Sequence, residues 1–224
     1  KAIERFGIPT NQTTLIPNFV DTRRFDVLKA PSSDTTIGFM GLVPQRKRFD
    51  HALTVLEGVR AKRPEFELST KGKRPEEYAW MLKRTAEMAW YQRQYDRIEQ
   101  SNLLQGAIRY QGWTSSPYSW FEEIGFLLSV SDFEGSHQAV AEGAASGAIP
   151  IILRWEGADE VYPPSWCVDT LEEGIERILS FNDTLSFEER ELERMNVANH
   201  IRDHFDLKII VERWLEMMDP HQSR

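Results

Sequence analysis

Apolar and polar positions along this chain follow two periods, and the switches between them mark out its elements. The clearest unit is 126–147, FLLSVSDFEGSHQAVAEGAASG. FLLSV is a short, sharply bounded apolar run, the pattern of a strand buried on both faces of a parallel sheet. SDFEGS interrupts it. Small helix-forming residues then run from His137 to Gly147, a glycine suited to ending a helix. A second apolar run, AIPIIL, follows directly. The pattern predicts strand, loop, helix and strand, with the loop at the carboxyl end of a strand, where open α/β sheets take ligands.

The rest of the chain reads in the same way. TLIPN (14–18), TIGFMGL (36–42), FELST (66–70), AIRYQGW (107–113) and WCV (166–168) predict strands. FDHALTVLEGVRA (49–61) has apolar residues at i, i+3, i+4 and i+7, the spacing of an amphipathic helix. Residues 75–104 predict one or two helices, PYSWFEEIG (117–125) a short one, and LKIIVERWLEMM (207–218) a closing amphipathic one. Thr170 and Ser186 each stand three residues before a glutamate, Glu173 and Glu189, the spacing of a capping box. Residues 1–7 read as the end of a helix and 8–11 as a turn. Trp80, Trp90, Tyr91 and Tyr95 recur at roughly helical spacing, which reads as core packing before it reads as a ligand platform. The alternation as a whole predicts an α/β fold, a Rossmann-like, doubly wound parallel sheet.

Composition narrows the function. With 224 residues, 41% hydrophobic and 28% charged, the chain has the make-up of a soluble globular protein with a full core. Its net charge of −8 argues against general nucleic-acid binding, although RPEFELSTKGKR and QRKR are locally basic. No apolar run reaches the length of a membrane span, and the N-terminus lacks signal-peptide architecture, so a cytoplasmic location is expected. The single Cys167 excludes an internal disulfide framework. His51, His200, His204 and His221 do not fall at metal-ligand spacing, and no metal or cofactor is expected. No Gly-x-Gly-x-x-Gly or Walker loop follows a strand, which removes dehydrogenase and P-loop readings.

Candidate chemistry centres on two carboxylates eight residues apart, Glu134 in the loop and Glu142 on the helix. A helix starting near Ser136 puts Glu142 about 9 Å further along its axis. Between them, the N–H groups of Gly135, Ser136 and His137 would form a helix N-terminus of the kind that attracts phosphate. A carboxylate, a phosphate cradle and a second carboxylate in line suit a nucleotide-sugar. The plainer alternative makes Glu134 a solvated loop residue and Glu142 a surface position.

The stretch S-D-F-E-G-S-H-Q-A-V-A-E-G-A-A-S-G-A-I-P resembles the Glu-x7-Glu signature of the retaining GT-B glycosyltransferases of the group 1 family. The resemblance extends over about 14–218 and covers the donor-binding, C-terminal half of such an enzyme. It implies that Glu134 contacts the transferred sugar and that Glu142 holds the nucleotide ribose, with Gly135, Ser136, His137 and Gln138 around the donor phosphates. His137 would either donate to the diphosphate or cap the helix. Gly41-Leu42-Val43-Pro44-Gln45-Arg46-Lys47 corresponds to the family's Gly-Arg-Leu-x-x-x-Lys loop, whose cations grip the diphosphate. Lys47 takes the lysine position and Leu42 the arginine position, leaving Arg46 or Arg48 to supply the second cation. Ile16-Pro17-Asn18-Phe19-Val20-Asp21 matches the family's I-P-N-G-V-D with Phe19 for glycine. Gly157 and Glu160 match its Gly-Gly-x-x-Glu loop. Trp113, after the strand that lines the base pocket in relatives, either stacks on a base or packs.

The resemblance therefore implies one donor domain over 1–224. Residues 1–13 would be a crossover remnant, and 206–224 a terminal helix that packs on a missing N-terminal domain. It further implies a nucleotide-diphospho-sugar as donor and a saccharide or other hydroxyl acceptor, and a fragment inactive by itself. A degenerate module kept for binding or assembly is the rival reading. Ile209, Ile210 and Trp214 on the terminal helix are expected to lie partly uncovered and to favour self-association.

Overall fold

The computed structural model describes residues 6–9 and 13–219. The expected crossover remnant therefore lies mostly outside the described residues, as do half of the 8–11 turn and the last residues of the expected terminal element.

Six parallel strands make the sheet: β1 (Thr36–Met40), β2 (Glu67–Lys71), β3 (Ile108–Tyr110), β4 (Phe126–Ser129), β5 (Ile149–Leu153) and β6 (Cys167–Val168). Their order is β3-β2-β1-β4-β5-β6. The chain winds outward from β1 to β3, then returns across the sheet to place β4 on the other side of β1. The connections leaving β1 and β4 therefore run on to opposite sides of the sheet, and the crevice where they part is its switch point. β1 and β4 are buried almost throughout, as their largely apolar sequences predict.

Helices cover both faces. They are α1 (Phe49–Arg60), α2 (Thr85–Gln100), α3 (Tyr118–Glu122), α4 (Gln138–Ala145), α5 (Ala158–Val161), α6 (Leu171–Thr184), α7 (Phe187–Phe205) and α8 (Leu207–Met218). Successive residues of β4 serve opposite layers. Phe126 meets Phe181 of α6 edge-on, with ring centroids 5.3 Å apart. Leu127 packs against Gly143 of α4, where an added Cβ would lie 2.6 Å from its Cδ2. α1 buries Phe49, Ala52, Leu53, Val55, Leu56 and Val59, the stripe its spacing predicts. Each Leu-sized side chain so buried contributes roughly 1.5–3 kcal/mol.

Several expectations need correction. TLIPN is not a strand. Residues 13–19 run without regular structure, and Val20 makes an isolated parallel bridge to Asp206. A proline inside so short a segment removes a ladder donor, which tells against pairing. Residues 75–104 hold one α-helix, α2, preceded by two 3-10 turns at Pro75–Glu77 and Met81–Lys83. The aromatic series divides: Tyr91 is fully buried and donates its hydroxyl to the Leu42 carbonyl at 2.7 Å, whereas Trp80 is exposed. Ser186 and Glu189 form the expected capping box. At α6, Thr170 caps Glu173, but Glu173 reaches back to the Asp169 N–H instead of closing the box on Thr170. On α8, Ile210 is buried, while Val211, Trp214, Leu215 and Met218 are exposed. No helix among the described residues is long and apolar enough to cross a membrane.

Candidate functional site

Two loops meet at the switch point. The first leaves β1 at Gly41, whose φ of 84° suits a residue without a side chain, and turns through Gln45–Lys47 into α1. Leu42 turns into the core and is 1% exposed. The residue in the family's arginine position is thus withdrawn from the crevice, and its carbonyl is held by Tyr91. The second loop leaves β4 at Val130 and carries S-D-F-E-G-S-H into α4. The loops are tied by the Asp132 N–H to Arg46 carbonyl bond at 2.9 Å and by Arg48, which pairs with both Asp50 and Asp132.

Their charged side chains converge. Lys47 Nζ lies 2.6 Å from Glu134 Oε1, and Arg46 approaches Glu134 Oε2 at 3.4 Å. Arg46 also donates to the Phe133 carbonyl and lies over the Phe133 ring. Ser131 donates to Glu134 at 2.7 Å. The Glu134 side chain is only 7% exposed. Burial pushes its pKa up, but the Lys47 ammonium and the Ser131 hydroxyl outweigh this and hold it below the ordinary carboxylate value. Of the two cations open for the arginine role, the structure brings Arg46 to the carboxylate, whereas Arg48 is occupied by aspartates.

His137 precedes α4 in a left-handed conformation, φ 40°. It does not cap the helix with its side chain. The imidazole turns inward, with Nδ1 2.6 Å from Ser129 Oγ. Nε2 is buried and makes no hydrogen bond. Burial, reinforced by Lys47, lowers its pKa to about 4, so the ring is neutral at pH 7.

Glu142 sits one turn into α4, half-buried. Burial raises its pKa to about 7, partly offset by Gln138. Gln138 itself donates to the Phe19 carbonyl at 2.8 Å, and Ser136 Oγ accepts from Asn18. These two expected donor contacts thus dock the 16–20 segment on the loop. Gly135 is exposed at the loop tip, where an added Cβ would meet nothing within 4 Å. Trp113 is 66% exposed beyond β3; it shares the carboxyl edge through the Gly72 N–H to Gly112 carbonyl bond but has no contact with the Glu134 cluster.

Three residues of this site escape sequence reasoning. Ser129 and Ser131 look like ordinary strand and loop serines, although Ser131 opens the S-D-F-E-G stretch. Tyr162 comes from the far side of β5, donates to the Ser136 carbonyl at 2.7 Å, and feels the charges of both Glu142 and Glu134. No spacing signals that contact. Among the described residues, no three His, Cys, Asp or Glu side chains are grouped to hold a metal ion.

The arrangement offers two cations, a buried neutral imidazole and a helix N-terminus at one crevice, with carboxylates before and along the helix. It can bind a polyanion between the loops and accept hydrogen bonds from hydroxyls on either side. No family model matches the chain, and no curated protein matches its sequence. Solved structures do share its fold. Anabaena HepE in complex with UDP and glucose aligns with a TM-score of 0.77 at 13% identity, over 98% of this chain and 60% of its own. A glycosyltransferase from Rickettsia africae aligns with a TM-score of 0.70 at 18% identity, over 96% and 59%. The C-terminal domain of a glycosyl transferase group 1 family protein, LpcC, from Francisella tularensis aligns with a TM-score of 0.64 at 15% identity, over 84% and 99%. The chain thus spans about 60% of the length of HepE and nearly all of an isolated C-terminal domain. Its fold is that of the C-terminal half of a GT-B glycosyltransferase.

Proposed function

We propose that this chain binds a nucleotide-diphospho-sugar at the switch point, as the donor half of a glycosyltransferase that retains the anomeric configuration. The observation that carries the reading is the Lys47–Glu134 pair flanked by Arg46 at the start of α4. The diphosphate lies between the β1 loop and the first turn of α4, where Lys47 and Arg46 bridge it to Glu134. Those cations and the helix N-terminus stabilise the leaving diphosphate, the largest electrostatic contribution this half supplies. Glu134 then faces the sugar and Glu142 the ribose, while exposed Trp113 offers a ring to the base. The acceptor is a hydroxyl held by a second domain of the same polypeptide, and the exposed face of α8 is where that domain, or a second copy, packs. The solved complex of HepE with UDP and glucose supports the donor class. Arg46 at the carboxylate favours this reading over a degenerate module, because the loop keeps two cations despite Leu42.

Calorimetric titration with UDP and GDP tests the proposal. One of them should bind with a dissociation constant between micromolar and millimolar. Lys47→Ala should weaken the diphosphate at least tenfold, about 1.4 kcal/mol, and the bare nucleoside hardly at all. The gap should narrow as salt rises, since a partly exposed ion pair is screened. Equal losses for nucleoside and diphosphate would mean that the loop acts through folding alone.

A further inference from the structure

Beside Glu134 the sheet edge opens into a cleft of about 420 Å³. Phe133 and Glu134 form one wall, and Trp155, Glu156 and Glu160, from the segment after β5, form the other. Three of its lining residues are glutamates and none is Lys, Arg or His. The three are not equivalent. Glu134 is matched by Lys47 and Arg46. Glu156 and Glu160 are exposed and have no cationic partner among the described residues. The cleft wall also holds an orphaned donor: Trp155 is 3% exposed, and its Nε1–H is buried with no acceptor. A buried donor without an acceptor is costly, and a ligand oxygen is the natural remedy.

We infer that this cleft takes the sugar of the donor and selects it by charge, admitting a neutral or amino-bearing hexose and rejecting a uronate, with Glu156 and Glu160 as the specificity-determining residues. The inference rests on the donor reading above. Its chemistry is direct. Hydroxyls and an ammonium donate to carboxylates in charge-assisted bonds. The aromatic walls suit the apolar C–H faces of a pyranose, as in most small-ligand pockets. A sugar carboxylate about 6 Å from an unmatched glutamate is disfavoured by roughly a factor of three at the dielectric of water, and by about ten at half that dielectric. Two such glutamates give roughly tenfold to a hundredfold.

The test uses glucose, glucosamine and glucuronate 1-phosphates, which lack a base and so do not depend on which nucleotide the chain prefers. Binding is read from the Trp155 indole N–H resonance, assigned with Trp155→Phe, and from the fitted dissociation constants. At low salt, glucosamine 1-phosphate should bind at least as tightly as glucose 1-phosphate, and glucuronate 1-phosphate at least tenfold more weakly. In the double variant Glu156→Gln/Glu160→Gln, glucuronate should come within about threefold of glucose, with the melting temperature unchanged. Equal affinities in the unmodified chain would overturn the inference, as would a preference that survives in the double variant. If UDP or GDP binds while no sugar phosphate moves the Trp155 resonance, the cleft is not the sugar subsite. If neither nucleotide binds, the donor reading itself falls, and this inference with it.

Discussion

Gly125→Ala is expected to lower stability by about 3–4 kcal/mol, although it adds one methyl group. Gly125 immediately precedes β4, with its N–H bonded to the Thr36 carbonyl and its own carbonyl accepting from Ile149. A Cβ there would lie 2.0 Å from the Ser33 carbonyl oxygen and 2.8 Å from its carbon. Both atoms are backbone, so no rotamer change relieves the clash. Nor is the 3-10 turn Pro31–Thr35 free to retreat. Arg194, itself 4% exposed, holds Asp34 at 2.5 Å, and Asn182 donates to the Asp34 carbonyl. The alanine must therefore displace β4 or break these ties, and β4 carries the Glu134 loop. Urea denaturation should show the loss as a lower midpoint, and thermal melting as a fall of roughly 10 °C. Gly135→Ala, in open space, is the control and should change stability by less than about 0.5 kcal/mol. A Gly125→Ala protein as stable as its parent would mean that the turn yields easily.

Glu142→Gln is expected to stabilise the protein at pH 8 by about 2–3 kcal/mol and to leave it nearly unchanged at pH 4. The sign follows from the raised pKa. Folding lifts Glu142 from an ordinary carboxyl value of 4.5 to about 7, so the folded chain binds more protons than the unfolded chain between those values. Stability therefore falls as pH rises through that window. His137 works in the opposite sense. Its pKa drops from 6.5 to about 4, so the unfolded chain binds the extra proton and stability rises with pH from 4 to 6.5. In the unmodified protein the two slopes nearly cancel between about pH 4.5 and 6.5. Removing the carboxylic acid leaves the His137 contribution without this opposing slope. Urea midpoints of both proteins from pH 4 to 8 check this, and parallel pH profiles would contradict it. If a ribose donates to Glu142, nucleotide binding near pH 7 should also release protons, measurable as a buffer-dependent heat.

The parts of this fold legible in sequence are those set by local pattern. The apolar run 126–130, the break at SDFEGS and the small-residue helix suffice to place β4, the loop and α4. Convergence across the sheet is not local. Nothing near Lys47 announces that it will meet Glu134, 87 residues away, or that Tyr162 will steady Ser136. The alignment of the β1 loop with the family left Leu42 as a conspicuous departure, and only packing explains it: its side chain fills the core while its carbonyl anchors Tyr91. His137 was readable as a polar residue at a helix start, yet the pocket that neutralises it is built from Ser129 and the approach of Lys47. TLIPN has strand-like composition, but Pro17 and the pull of Asn18 and Phe19 toward the α4 loop leave it unpaired.

Cys167 gives this molecule a built-in clock. It is the only thiol in the chain, buried at 5% exposure in β6, the edge strand next to β5. Burial raises its pKa, which leaves little of the thiolate that electrophiles attack. Modification must therefore await a local opening of that edge, and its rate measures how often the opening occurs. Without any engineered label, iodoacetamide or a disulfide reagent would report the free energy of fraying beside the very segment, 154–160, that forms the far wall of the cleft. A ligand seated there should slow the reaction, and the slowing would count occupied molecules without reference to any product.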